Sequence, residues 1–227
     1  MGKDLKIIRL SHTLRSGDSR FPGNPDVVIR QCHAFEKGDS CNTYEVRFFN
    51  HNGTHIDFPN HYVSDGKALN DYDAKEFFFE KTWLLNQPFE KGQAIEPHHL
   101  EFHSELLSKC DALLIKTGFQ EQRATPDFSH GPYLTLESAK LLRERFQNVR
   151  CIGLDTISLT SMAAFDEGQE VHRILLKGAN APFVIEDMDM KLLSSDLQIE
   201  RMIVAPWFID RIDGGPCTVF AEIEDDK

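Results

Sequence analysis

Apolar positions along the chain fall into short runs with two different spacings. Leu5–Leu10, Val27–Cys32 and Thr43–Phe49 are brief stretches rich in β-branched or aromatic residues, which predicts strands. Between the first two lies Ser16-Gly17-Asp18-Ser19-Arg20-Phe21-Pro22-Gly23-Asn24-Pro25, which is loop chemistry throughout. Phe21 within it is an aromatic on a loop, expected either to lid a pocket or to anchor in the core.

Beyond residue 80 the pattern alternates. Thr82–Asn86 reads as a strand. Pro97 opens a helical stretch running up to Cys110, with Leu100, Leu106 and Leu107 on a mixed face. Ala112–Lys116 is a buried strand ended by Thr117-Gly118, followed by a long polar loop, Gln120–Pro132. Thr135 is placed to cap an amphipathic helix carrying Leu136, Ala139, Leu142 and Phe146 at helical spacing. Cys151–Leu154 is a strand, and Val171–Lys177 is helical, closed by Gly178. Phe183–Ile185, Met202–Ala205 and Thr218–Ile223 are further strands. Strands alternating with helices predict an α/β layered fold. Residues 1–227 are expected to form one domain with an N-terminal β arm of about 50 residues.

Composition narrows the function classes. The 227 residues include 17 Phe, and 41% are hydrophobic, which excludes disorder. A formal charge of −11 makes nucleic acid and anionic membranes poor partners. No apolar run approaches the roughly 20 residues of a membrane span. The opening Met1-Gly2 lacks the downstream Ser or Thr of a myristoylation signal, and no signal-peptide core follows it. Five widely spaced Cys without a C-x-x-C pair argue against a disulfide scaffold or a Cys-type zinc site. A cytoplasmic location is expected. The acidic end from Glu222 to Asp226 reads as a solvated tail.

One feature of composition stands apart. Of 10 His, three fall in the stretch His51-Asn52-Gly53-Thr54-His55-Ile56-Asp57-Phe58-Pro59-Asn60-His61. Even scattering would place about 0.5 there. Imidazoles and a carboxylate are ligand types that Zn²⁺ and Mn²⁺ accept. On a straight strand His51 and His55 would stand about 13 Å apart, too far to share an ion. Gly53 and Pro59 oppose a regular helix. A strand end bending at Gly53 remains; it would return His55 and Asp57 toward His51, with Thr54 free to hydrogen-bond beside them. His98, His99 and His103, among acidic neighbours, read instead as an exposed polar face. Asn52 stands where a zincin needs Glu, and no Cys pair makes a zinc finger. The chain also lacks a G-x-S-x-G elbow, a G-x-G-x-x-G turn and a P-loop.

The uninterrupted pattern H-x-G-T-H-x-D-x-P-x-H over His51–His61 resembles the signature of the cyclase family of metal-dependent hydrolases, which includes bacterial kynurenine formamidases and isatin hydrolases. Leu10-Ser11-His12-Thr13-Leu14, Phe21-Pro22-Gly23-Asn24-Pro25, Asp111–Gly118, Gly153-Leu154-Asp155-Thr156-Ile157-Ser158, His172–Leu176, Val184-Ile185-Glu186-Asp187 and Asp213-Gly214-Gly215-Pro216 resemble further family segments in the same order. The resemblance implies a swivelling β/β/α fold and one or two divalent ions per chain, Zn or Mn. It implies His51, His55 and Asp57 as ligands of a first metal. Asp57, His172 and Glu186 would complete a second site, with Glu170 and Asp187 as alternative carboxylates. His61 would be the acid/base residue. Phe21 stands where the formamidases carry a Trp that packs on aromatic substrate. The implied activity is hydrolysis of the C–N bond in a small amide, formamide or cyclic amide. A cyclase, lactonase or dehydratase using the same metal, or a non-catalytic metal-binding module, are the alternatives. The family also implies a homodimer or homotetramer, in which an N-terminal segment reaches a neighbouring active site.

Overall fold

The computed structural model describes residues 5–224. Met1-Gly2 and the end of the acidic tail, Asp225-Asp226, lie outside the described residues.

The elements follow in chain order. Strands β1 (Leu5–Arg9), β2 (Val28–His33), β3 (Thr43–Arg47), β4 (His55–Asp57), β5 (Phe78–Phe79), β6 (Thr82–Asn86) and β7 (Ala94–Ile95) come first. Two short helices, α1 (Pro97–Glu101) and α2 (Ser104–Leu107), lead to β8 (Ala112–Lys116) and β9 (Tyr133–Leu134). Then come α3 (Leu136–Arg145), β10 (Cys151–Leu154), α4 (Phe165–Leu175), β11 (Phe183–Glu186), β12 (Ile199–Pro206) and β13 (Gly214–Glu224). None of these helices is long and apolar enough to cross a membrane.

The architecture is α/β, built on a large mixed sheet with the order β5-β12-β13-β4-β11-β10-β8-β6, and β1 added on β13. β6, β8, β10 and β11 run parallel and are linked by helical crossovers. β5, β12 and β13 form an antiparallel half, and β12 comes back against β6, so the sheet curls nearly closed. β4 is the seam: it pairs antiparallel with β13 on one side and with β11 on the other.

Side-chain alternation sorts the strands onto two cores. Ile56, Leu114, Cys151 and Ile185 point into the curl, where they meet Phe58, Phe79, Met202, Val219 and Ala221. Leu113, Ile115, Ile152, Leu154 and Val184 point outward, under Leu100, Leu107, Leu142 and Leu175 of the helices. A separate hairpin, β2 with β3, keeps mostly exposed faces.

Three sequence expectations need correcting. The helix expected from Pro97 to Cys110 is two short pieces, because His103 leaves helical angles (φ −111°, ψ 22°) and Ser104 Oγ donates to the Glu101 carbonyl. The helix expected over Val171–Lys177 starts six residues earlier, at Phe165. Its buried positions Gly168, Val171, His172 and Leu175 keep one face, and Gly168 is needed there because a Cβ would lie 2.7 Å from Thr160 Cα. The acidic tail is partly structured: Glu222 and Ile223 belong to β13 and pair with β12 and β1. α3 begins as expected, with Thr135 Oγ1 accepting from the Ser138 N–H.

Candidate metal centre

β4 carries His55 and Asp57 two residues apart, so both side chains leave the same face. Glu186 of β11 lies directly opposite His55 in the antiparallel register and shares that face. The helices cover this side, and α4 brings His172 down onto it. Glu170 is exposed and pairs with Arg173. Asp187 is buried but is bound to Arg123. Of the three carboxylates weighed from sequence, Glu186 alone stands against His55 and His172.

His51 reaches the group through a turn. Gly53 has φ 71°, a left-handed angle that suits Gly, and the rings of His51 and His55 end 5.0 Å apart. On the other flank, β13 approaches so closely that a Cβ on Gly214 would lie 2.7 Å from His51 Cε1 and 2.8 Å from the Ile56 carbonyl.

The donor atoms form a continuous ring. His51 Nδ1 is 2.9 Å from Asp57 Oδ1, and His55 Nε2 is 3.5 Å from the same oxygen. His55 Nε2 is 3.3 Å from Glu186 Oε2, while His172 Nε2 is 3.2 Å from Glu186 Oε1 and 3.8 Å from Asp57 Oδ2. Two ligands each about 2.1 Å from one tetrahedral ion are about 3.4 Å apart, so these spacings suit a shared cation. Asp57 Oδ2 is buried without a hydrogen-bond donor, an orphan atom that a cation would satisfy. The residues therefore fit a divalent ion.

Supporting hydrogen bonds orient the donors. His55 Nδ1 donates to the Gly53 carbonyl at 2.9 Å, and His172 Nδ1 to the Gly168 carbonyl at 2.8 Å, which turns both Nε2 atoms inward. Glu186 Oε1 accepts from Ser158 Oγ at 2.8 Å and the Leu159 N–H at 2.7 Å. Thr54 Oγ1 donates to the Asp187 carbonyl.

Electrostatics follow from this crowding. Burial opposes charge on His51, but Asp57 and Asp213 outweigh it and push its pKa up to about 10. Burial likewise opposes charge on Glu186, yet hydrogen bonds from His172 and His55 hold its carboxyl well below the usual range. Burial and the nearby Glu186 oppose charge on Asp57 as well, but the charge and hydrogen bond of His51, together with His55, lower its pKa.

His61 sits at the end of the single turn Pro59–His61, with its ring 4.1 Å from that of His51. Its Nδ1 is 2.7 Å from Asp213 Oδ2. Beside the donors opens a cavity of about 310 Å³ lined by Phe21, Phe49, Tyr62, Ile157 and Phe165. Phe21 lies 6.2 Å from Phe165 and packs against a small cluster of Phe119, Phe128 and Ile157. Tyr62, Phe165 and Asp213 escaped the sequence reading as site residues. Tyr62 directly follows His61 but offered no signal of its own, and Asp213 was visible only as part of a segment, Asp213-Gly214-Gly215-Pro216, that resembles the family's C-terminal pattern.

The chain matches the Cyclase family model, described as "Putative cyclase", over residues 8–161. It is 26% identical to a kynurenine formamidase of Bacillus anthracis over 217 residues, covering 94% of this chain and 96% of that one. It is 27% identical to the cyclase-like protein 1 of Arabidopsis thaliana over 166 residues, covering 67% of this chain and 59% of that one. Among solved structures, isatin hydrolase A from Labrenzia aggregata superposes with a TM-score of 0.82 at 19% identity, covering 97% of this chain and 94% of that one. With the family model spanning more than half its length, the chain belongs to the cyclase family.

Proposed function

We propose that the protein is a metal-dependent hydrolase that cleaves the C–N bond of a small aromatic amide, formamide or cyclic amide. The observation that carries this reading is the ring of buried His and carboxylate donors opening beside an aromatic-walled cavity. Kinship to kynurenine formamidases and likeness to isatin hydrolases support it.

His51, His55, Asp57, His172 and Glu186 would hold the ion or ions. A divalent ion there supplies Lewis acidity toward the scissile carbonyl and toward water. The chain's own residues do the rest. Phe21 and Phe165 hold an aromatic ring against the cavity wall by stacking. His61 Nδ1 is engaged by Asp213, so Nε2 is the nitrogen available to substrate. Water adds its oxygen to the carbonyl carbon. Its proton passes to His61 Nε2 and from there to the departing nitrogen, leaving an acid and an amine.

The test is elemental analysis of the purified protein together with a hydrolysis screen on formanilides, isatin, cyclic imides and lactones. The expected result is bound Zn or Mn and turnover of an aromatic amide, with both metal and turnover abolished in His51→Ala and Asp57→Ala. Undiminished hydrolysis by metal-free protein overturns the proposal. Turnover of lactones alone would move it to the lactonase reading, and metal bound without any turnover to a binding module.

A further inference from the structure

Among the described residues, Asp213 is the one carboxylate lining the cavity that the proposed ligand set leaves unused. It precedes β13, and its place is fixed from both sides. The Asp213 carbonyl accepts from the Phe58 N–H at 2.9 Å, next to β4. Asn50 Nδ2 donates to Asp213 Oδ1 at 2.8 Å and to the Gly214 carbonyl at 3.1 Å. That leaves Oδ2 for the site. It stands 2.7 Å from His61 Nδ1 and 3.1 Å from His51 Nε2, bridging the nitrogen edges of two rings stacked 4.1 Å apart with 27° between their planes. His51 turns its other nitrogen, Nδ1, toward Asp57.

An imidazole is useful in catalysis or ligation only if the correct nitrogen carries the proton, and the partner of the opposite nitrogen sets which one does. One carboxylate oxygen here accepts from both rings. We infer that Asp213 is a positioning residue: its Oδ2 fixes the tautomer and orientation of His61 and His51 together, so that the proton-transferring nitrogen and the metal-binding nitrogen both face the cavity. This rests on the proposed hydrolase reading for His61, but the His51 half stands on the metal centre alone.

Asn is nearly isosteric with Asp but replaces one acceptor oxygen with a donor. Asp213→Asn is therefore expected to lower Zn²⁺ affinity about 10–100-fold, measured by competition with a chromophoric chelator. In ¹⁵N-histidine-labelled, zinc-loaded protein, His61 should shift from a single Nδ1–H tautomer to a mixture. In kinetics, kcat on a formanilide should fall about 10²-fold or more with KM unchanged. A p-nitrophenyl ester, whose leaving group needs no proton, should lose less than about tenfold. In a His61→Ala background assayed at saturating zinc, the same substitution should cost no further amide turnover. Asn50→Ala, which frees Oδ1 but keeps the carboxylate, should move each readout the same way by less, and it serves if Asp213→Asn does not fold. Unchanged zinc affinity with an unchanged His61 tautomer overturns the inference. So does an equal loss on ester and amide, which marks a merely structural role. Absence of turnover by the wild type would refute the hydrolase reading, while the affinity and tautomer measurements would still decide the role of Asp213.

Discussion

Arg123→Met tests whether the site depends on a buried ion pair beneath it. The Arg123 side chain is 13% exposed and that of Asp187 is 2% exposed. Arg123 Nε lies 2.8 Å from Asp187 Oδ1 and Nη2 lies 2.8 Å from Oδ2, a bidentate clasp. Arg123 also pairs with Asp18, and its carbonyl accepts from Ser19, so it ties the loop carrying Phe21 to the residue following Glu186. Methionine keeps most of the volume and removes the charge, leaving Asp187 buried without its partner. Breaking such a pair from one side costs about 3–5 kcal/mol. At about 2–4 °C per kcal/mol for a chain of this size, Tm should fall by roughly 6–20 °C. Thermal unfolding followed by circular dichroism measures it. Asp187 has φ 51°, an angle that Asn adopts well, so Asp187→Asn keeps the backbone and removes the stranded charge. The double variant should then be less destabilised than the sum of the two single variants by about 1–3 kcal/mol. A Tm drop below about 2 °C for Arg123→Met, or strictly additive losses, would show that Asp187 does not depend on Arg123 for its charge.

Phe21→Ala should raise KM for an aromatic substrate about tenfold with little change in kcat, because it removes stacking area and not a reacting group; steady-state kinetics showing an equal effect on an aliphatic amide would count against it. With the His51 pKa raised to about 10, the metal-free site carries a proton there at neutral pH. Metal uptake should therefore release at least one proton per chain, seen as buffer-dependent heats in titration calorimetry. The share of metal-free stability that His51 supplies should be complete below its unfolded value of about 6.5 and vanish as the pH rises through about 10; a pH series of thermal melts in chelator checks this. The hairpin of β2 and β3 exposes Ile29, Tyr44 and Val46, and light scattering at micromolar concentration should report a homo-oligomer; a monomer would refute that expectation.

Whatever depends on neighbours along the chain is readable without the fold. Strand β8 declares itself through an unbroken apolar run, because both of its faces are buried, and helix α3 through periodicity and the Thr135 cap, because it buries one continuous face. His51, His55 and Asp57 were legible for the same reason: Gly53 turns the chain, and two-residue spacing on an extended segment places His55 and Asp57 on one side. Resemblance to the family's sequence pattern added His172 and Glu186, but it left Glu186, Asp187 and Glu170 as alternatives. The fold places them differently through cross-strand register: Glu186 lies opposite His55, whereas Asp187 has turned away to Arg123 and Glu170 is exposed beside Arg173. The start of α4 was hidden because Gly168 weakens helical propensity, and only the close approach of Thr160 explains why a side chain is excluded there. Asp213 is the clearest case. It meets His61 across 152 residues of chain, and no local pattern encodes a contact created by β13 lying against β4.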